Sequence, residues 1–428
     1  MAHENYIVAI DLGTSHLVGM VGMKSAQGTL SILAEEVEPS ASCIRRGYVY
    51  NVEDTAHRIN RLIMKLQNKL SSDLDGLRIE KVYIGIGSQS LRSYKHVEVK
   101  IINTDSVVSE EDINKLAEQC RAFKPDMLDV LGISSPIYYV DGALVENPVG
   151  IPCKRIEAHY KLIVGKPAIR NNITNSIKRT KIKLAGIIVS PLALADTIFS
   201  RNEKELGCAL IDFGAGVTSV VVYKQKELVH LSVIPLGGNL ITRDLTSLRL
   251  VESEAEQLKI TYGSAVLGKN KENADSIEAR EGIGLHEINT VVEARAREIV
   301  ENVYAQIKST GEMDALKTIV LAGGASALKN LQDLVRERFK KEVCFSTIGK
   351  EWMEENDTRI GNPRYMTAIS LLIKGTESCV YVPPPVSAWE EDKPEEKKGK
   401  GKAKKSKEGD TEGGNLFKRL IEEILKQD

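Results

Sequence analysis

A two-lobed α/β fold is what this sequence predicts, and two observations predict it. The first is a repeated segment: Ile7-Val8-Ala9-Ile10-Asp11-Leu12-Gly13-Thr14-Ser15 and Ala209-Leu210-Ile211-Asp212-Phe213-Gly214-Ala215-Gly216-Val217-Thr218 share one grammar. Each runs from apolar strand residues to an aspartate, into a Gly/Thr/Ser turn, and on to a further strand-like run. The copies lie about two hundred residues apart, which suggests two related lobes presenting two loops to one polyphosphate. The second observation is a further strand–turn–helix signal over Thr318–Val335, where Ile319-Val320-Leu321-Ala322 meets Gly323-Gly324-Ala325-Ser326.

Bulk properties narrow the class. A chain of 428 residues has room for two to four domains with sizeable cores, and its 42% hydrophobic and 27% charged residues are those of an ordinary globular protein. A formal net charge of -1 gives a nucleic-acid function no support. Six scattered cysteines form no CxxC pair and read as reduced thiols of a cytosolic protein, with neither a disulfide framework nor zinc ligands. No basic patch precedes an apolar run at the N-terminus, and no apolar stretch is long enough to span a bilayer.

The elements follow in order. Strand-like runs Ile7–Ala9, Leu17–Met23 and Leu30–Glu35 surround the first aspartate turn. Ala56, Ile59, Leu62, Ile63, Leu66 and Leu70 then recur at helical spacing. Residues 84 to about 165 change character, with the alternation Val97, Val99, Ile101 and a helix after Ser109, which with Asp112 resembles an N-terminal cap. This stretch reads as a small α+β unit inserted into the first lobe. A helix is expected over Ala168–Leu184 and a strand over Gly186–Val189. Residues 243–305 read as mostly helical, with a charged, less regular part at Gly268–Gly282. After Pro383-Pro384-Pro385, Glu390–Glu412 holds eight lysines and eight acids with no apolar residue beyond alanine and proline, so it cannot offset its ordering entropy by burial.

A polyphosphate needs tight turns that expose backbone N–H groups, hydroxyls that donate, and carboxylates that hold Mg²⁺ through water. Gly13, Thr14 and Ser15 answer the first two needs, as do Gly214, Gly216 and Thr218. Asp11 and Asp212 end apolar strands, where a carboxylate without a metal or donor is costly. A single Asp-x-Gly-Thr is a bland hairpin turn; two copies and the Gly323 loop point to a nucleotide. No GxxxxGK[ST] loop occurs, and Gly214-Ala215-Gly216 lacks the rest of a dinucleotide fingerprint.

These residues resemble the actin, heat-shock chaperone and sugar-kinase superfamily of ATPases, and within it the FtsA family of bacterial cell-division proteins. Asp11-Leu12-Gly13-Thr14-Ser15 is similar to the family's first phosphate loop and Asp212–Thr218 to its second. Pro235-Leu236-Gly237-Gly238-Asn239 resembles the segment that follows, Ser253-Glu254-Ala255-Glu256-Gln257-Leu258-Lys259 the helix facing the adenosine, and Leu321–Ser326 the adenosine loop. The resemblance covers about residues 5–385. It implies a two-lobed actin-like ATPase fold with an inserted SHS2-like α+β subdomain, a disordered linker and a C-terminal amphipathic helix. The first-lobe core would take 1–83 and 166–200, interrupted by the insertion at 84–165. The second-lobe core would take 201–242 and 306–385, the last part returning to the first lobe, with an outer subdomain at 243–305. The linker would be 386–413 and the helix 414–428.

The resemblance further implies that Asp11 and Asp212 organise Mg²⁺ and that ATP is the cofactor. Gly13, Thr14, Ser15, His16, Gly214, Gly216, Val217 and Thr218 would surround the phosphates. Gly238, Asn239, Glu256, Lys259, Gly323, Gly324 and Ala325 would hold the rest of the nucleotide. Two departures stand out: position 16 is often lysine in relatives but is His16 here, and the helix after Ser190-Pro191-Leu192-Ala193 has no Glu or Gln to position a water. Hydrolysis is therefore expected to be slow at most. The inserted subdomain would serve stacking into filaments, and the outer second-lobe subdomain would dock the FtsZ C-terminal peptide, with Arg249, Lys259, Arg295 and Arg297 as candidate charges.

Leu416, Phe417, Leu420, Ile421, Ile424 and Leu425 form one apolar stripe on about three turns of helix, with charged residues on the remainder. A helix that short is marginal alone in water, so it should fold against a surface. Seven lysines and no acid between Lys397 and Lys407 favour an anionic leaflet. The sequence thus reads as an ATP-binding, polymerising adaptor that tethers FtsZ filaments to the cytoplasmic face of the cell membrane at the septum and recruits downstream division proteins. A small-molecule kinase or a pilus-type ATP-binding adaptor on the same fold are the alternatives.

Overall fold

The computed structural model describes residues 5–40, 42–73, 76–103, 107–268, 278–280, 282–353 and 357–382. The expected linker at 386–413 and the helix at 414–428, with its stripe from Leu416 to Leu425, lie outside the described residues, as does most of the charged segment after Gly268.

The first lobe is built on a five-stranded sheet. Strands β1 (Asn5–Leu12), β2 (His16–Lys24) and β3 (Leu30–Pro39) form an antiparallel meander. Ile7, Val8, Ala9 and Ile10 of β1 are fully buried, the continuous apolar run of a strand covered on both faces. Helix α1 (Val52–Asp73) packs its Ile59, Leu62 and Leu66 stripe against β2 and β3. The chain then returns as β4 (Lys81–Ile86), parallel to β1.

The insertion follows. Strand β5 (Arg92–Ile101) precedes helix α2 (Glu110–Ala122), whose expected cap is present: the Ser109 hydroxyl accepts from the Asp112 N–H at 3.2 Å while the Asp112 carboxylate accepts from the Ser109 N–H at 2.8 Å. Strands β6 (Asp129–Ile133), β7 (Ile137–Val140), β8 (Ala143–Val145) and β9 (Arg155–Gly165) complete its sheet. Alternate residues of β9, Ile156 through Val164, bury against Leu116 and Cys120 of α2 in a core of their own.

Back in the first lobe, α3 (Pro167–Lys178) leads to β10 (Lys183–Val189), parallel to β4, and α4 (Ser190–Ile198) leaves toward the second lobe. The helix expected to run to Leu184 stops at Lys178. The Thr180 hydroxyl donates to the Ile177 carbonyl at 2.7 Å, and Leu184 is drawn into β10 by pairing with Val82. Tertiary pairing overrides local pattern there.

The second lobe repeats the first. Strands β11 (Cys208–Phe213), β12 (Thr218–Lys224) and β13 (Glu227–Ile234) form the meander. Helices α5 (Gly238–Leu245), α6 (Glu252–Tyr262) and α7 (Leu285–Lys308) come next. Strand β14 (Thr318–Ala322), parallel to β11, is followed by α8 (Leu331–Phe339), β15 (Glu342–Phe345) and α9 (Met366–Lys374), which packs back on β1 and α4. The strand orders are β3-β2-β1-β4-β10 and β13-β12-β11-β14-β15, the same topology twice. Asp11 and Asp212 hold the same place in it, each next to last in its lobe's first strand. The insertion joins this second sheet through Arg92 and Ser232, making it ten-stranded.

Candidate functional site

The duplicated hairpins aim their turns at each other. In the second lobe the Gly214 N–H donates to the Val217 carbonyl at 2.9 Å, closing the turn from Gly214 to Val217. In the first, the Ser40 hydroxyl holds the Gly13 carbonyl at 2.6 Å and the Gly47 N–H donates to the Thr14 hydroxyl at 3.1 Å. The loops touch: a β-carbon on Gly216 would stand 2.6 Å from Thr14 Oγ1, so only glycine permits this approach. The third loop depends on Gly323, whose φ is 82° and whose β-carbon would stand 2.3 Å from the Phe213 carbonyl oxygen.

Between these loops lies a cleft of about 530 Å³, well within the range of small-molecule sites. Asp11, Gly13, Thr14, Ser15 and His16 line it from the first lobe; Asp212, Gly214, Gly216 and Val217 line it from the second. Gly238, Asn239, Glu256, Lys259, Gly323, Gly324 and Ala325 complete the second-lobe wall. Thr218 does not line it. Period-two alternation turns Val217 and Ser219 to the cleft and Thr218 inward, fully buried, with its hydroxyl donating to the Leu236 carbonyl at 2.8 Å.

The two aspartates set the electrostatics. Burial, then the charge of Asp212, pushes the Asp11 carboxyl up to about 7, against the opposing hydrogen bond from the Ser190 hydroxyl at 3.2 Å. Burial pushes Asp212 up to about 6. Two carboxylates that resist ionising without compensation suit a hard cation. Among the described residues no group of three or more His, Cys, Asp or Glu side chains could hold a metal ion. A cation here therefore draws two carboxylates from the protein and its other ligands from water and phosphate, the usual manner of Mg²⁺. The residues fit that ion.

At the other end, Lys259 Nζ lies 2.6 Å from Glu256 Oε2 and 2.9 Å from the Thr242 hydroxyl, and that hydroxyl also bonds Glu256. Lys259 is thus tied into the wall. Arg295 pairs with Asp244 at 2.6 Å and with Glu298, and Arg297 with Glu293 at 2.7 Å. Of the four cations proposed for an acidic peptide, only Arg249 has no ion pair among the described residues; it is exposed and sits at the end of a short 3-10 turn with φ 64°.

Sequence reasoning missed Ser190, Gly47, Gly87 and Arg364, all of which line the cleft. Only Ser190 carried a signal, as the first residue of a helix that follows an apolar strand. Arg364 lies in an irregular segment with no periodicity to mark it.

Comparison with known proteins adds family and fold. The family described as cell division protein FtsA matches residues 209–370, and the SHS2 domain inserted in FtsA matches residues 88–164. A cell division protein FtsA from Porphyromonas gingivalis is 34% identical over 391 residues, covering 89% of this chain and 80% of its own. One from Pseudomonas aeruginosa is 29% identical, covering 87% of this chain and 89% of its own. Among solved structures, a chain of the PilM-PilN type IV pilus biogenesis complex superposes with a TM-score of 0.63 at 14% identity, covering 87% of this chain and 98% of that one. That last likeness is one of fold.

Proposed function

We propose a function from one premise: the chain belongs to the FtsA family of cell division proteins, with an actin-like two-lobed fold and an SHS2 domain inserted in its first lobe. It binds ATP with Mg²⁺ in the cleft, assembles into filaments, and tethers FtsZ filaments to the cytoplasmic face of the cell membrane at the septum, recruiting the later division machinery.

The observation that carries the nucleotide part is the contact of Gly216 with Thr14 above Asp11 and Asp212. A ligand seated there touches both lobes and so fixes their angle, which ties nucleotide state to the shape a filament can accept. Asp11 and Asp212 would hold Mg²⁺, which neutralises phosphate charge. Backbone N–H groups of Gly13–Ser15 and Ala215–Val217 would cradle the phosphates, with Glu256, Lys259, Gly324 and Ala325 around the adenosine. The cleft's carboxylates are Asp11, Asp212 and Glu256. The first two serve the metal and the third is engaged by Lys259 and Thr242, so no carboxylate is spare as a base, which agrees with slow turnover. The amphipathic stripe from Leu416 to Leu425, beyond a lysine-rich tract, supplies the membrane contact, and polymerisation multiplies weak anchors into firm attachment.

Sedimentation with anionic liposomes tests this reading, comparing the full chain with one ending at Pro385, with ATP and without. Pelleting of the full chain alone, strengthened by ATP, is expected. Equal pelleting of both chains would remove the membrane role from the tail. Binding of a labelled FtsZ C-terminal peptide by both chains is expected in parallel, and its absence would remove the tethering role.

A further inference from the structure

The cleft lacks an obvious countercharge for a polyphosphate. Its titratable lining groups are Asp11, His16, Asp212, Glu256, Lys259 and Arg364. Two are aspartates suited to a metal, and Glu256 and Lys259 neutralise one another at 2.6 Å. His16 lies in the first-lobe loop, but it cannot serve as a fixed cation. Burial, and then the nearby charge of Arg364, hold its pKa below the ordinary histidine value, so the ring is neutral at pH 7. Its Nδ1 lies 3.0 Å from the Ser15 hydroxyl, and the ring is used within its own loop.

Arg364 remains. It lies in the segment that returns from the second lobe to the first, two residues before α9, where its backbone N–H is fixed by the Asn362 side-chain oxygen at 3.1 Å. The side chain is exposed on the cleft wall and has no ion pair among the described residues. It lines the same cleft as Ser15 and His16 of the first loop, and its charge acts on the His16 ring. A guanidinium is permanently charged and presents a planar fork of donors matched to phosphate oxygens.

We propose that Arg364 is the phosphate-binding cation of this cleft, contacting the terminal phosphates of the bound nucleotide. The inference rests on the nucleotide reading above and adds a residue to it. It also gives the segment that returns from the second lobe to the first a direct hold on the ligand. A triphosphate engages the Arg364 side chain and both hairpin loops at once, whereas adenosine engages only the wall around Glu256 and Lys259.

Calorimetric titration of the full chain with Mg·ATP, Mg·ADP and adenosine tests it, on the unaltered protein, Arg364→Ala and Arg364→Lys. Arg364→Ala should weaken ATP about tenfold or more, ADP less, and adenosine not at all, with partial recovery in Arg364→Lys. Loss of all three ligands by one factor, or of none, overturns the assignment. A second readout does not depend on ligand: the His16 ring, titrated by NMR, should move up toward the ordinary histidine range in Arg364→Ala. An unmoved His16 places Arg364 elsewhere and also overturns it. Absence of ATP binding by the unaltered chain would instead overturn the nucleotide reading, and this assignment with it.

Discussion

Two acidic sites linked by helix α4, the Asp11–Asp212 pair and Asp196, behave in opposite ways. At the cleft, Asp11 accepts from the Ser190 hydroxyl alone among the described side chains, and burial drives the carboxyls of both Asp11 and Asp212 up. Asp196 on α4 accepts from the Tyr223 hydroxyl at 2.7 Å, Lys204 Nζ at 2.8 Å and Lys374 Nζ at 2.7 Å. Burial pushes the Asp196 carboxyl up as well, but the charges and hydrogen bonds of Lys204 and Lys374 outweigh it and hold the pKa below the ordinary value. One helix carries both regions, since α4 begins with the Ser190 hydroxyl on Asp11 and ends near Asp196. Lys374 belongs to the first lobe and Tyr223 to the second, so the Asp196 cluster clamps the junction. A buried acid satisfied by the fold marks structure; one left uncompensated marks a place for a ligand.

The largest expected effect tests the clamp. Asp196→Ala leaves two ammonium groups and a phenol without their acceptor and should cost about 3 kcal/mol in urea unfolding. Asp212→Asn, which removes an uncompensated charge, should cost little or stabilise. A reversed order would break the contrast. Next is Gly323→Ala, where a left-handed backbone and a contact on the Phe213 carbonyl oxygen should cost about 2 to 3 kcal/mol, measured the same way.

A smaller effect comes from pH. Asp11 and Asp212 have folded pKa values raised above the unfolded value, so the folded chain binds protons more tightly there. Stability from this pair is present at low pH and is lost as pH climbs from the ordinary carboxylate range toward about 7. Asp196 has the opposite sign: its contribution is present above the unfolded value and is lost as pH falls through the folded one. In metal-free buffer the Asp11→Asn, Asp212→Asn double variant should therefore lose less stability between pH 6 and pH 7 than the unaltered chain, by on the order of 1 to 2 kcal/mol. Parallel profiles would remove the electrostatic argument for the cleft.

The cleft side was legible in the sequence and the clamp was not. Strand, aspartate and glycine turn are contiguous, so Asp11 to His16 and Asp212 to Thr218 could be read as units, and every candidate in them except Thr218 lines the cleft. Thr218 was misplaced because a loop motif does not say which face the first residue of the next strand takes. Asp196 and Lys374 stand 178 residues apart, and no local pattern announces their meeting. Arg364 escaped for the same reason. The fold was legible as a repeated grammar, and the matched strand orders of the two sheets explain why. The end of α3 was not, because Leu184 takes its conformation from pairing with Val82 in a neighbouring strand.

The most direct test titrates ATP into the unaltered chain at pH 7.5, first with excess Mg²⁺ and then with excess chelator. Asp11 and Asp212 line the cleft together with the Gly13–Ser15 and Gly214–Val217 turns, and on the proposed reading their charge repels a polyphosphate unless a cation lies between. Binding should therefore weaken at least tenfold when the metal is removed, and the same pair of titrations on Asp212→Asn should show a smaller difference. Equal or tighter binding of ATP in chelator would contradict the account, because the two carboxylates would then have no ion to hold.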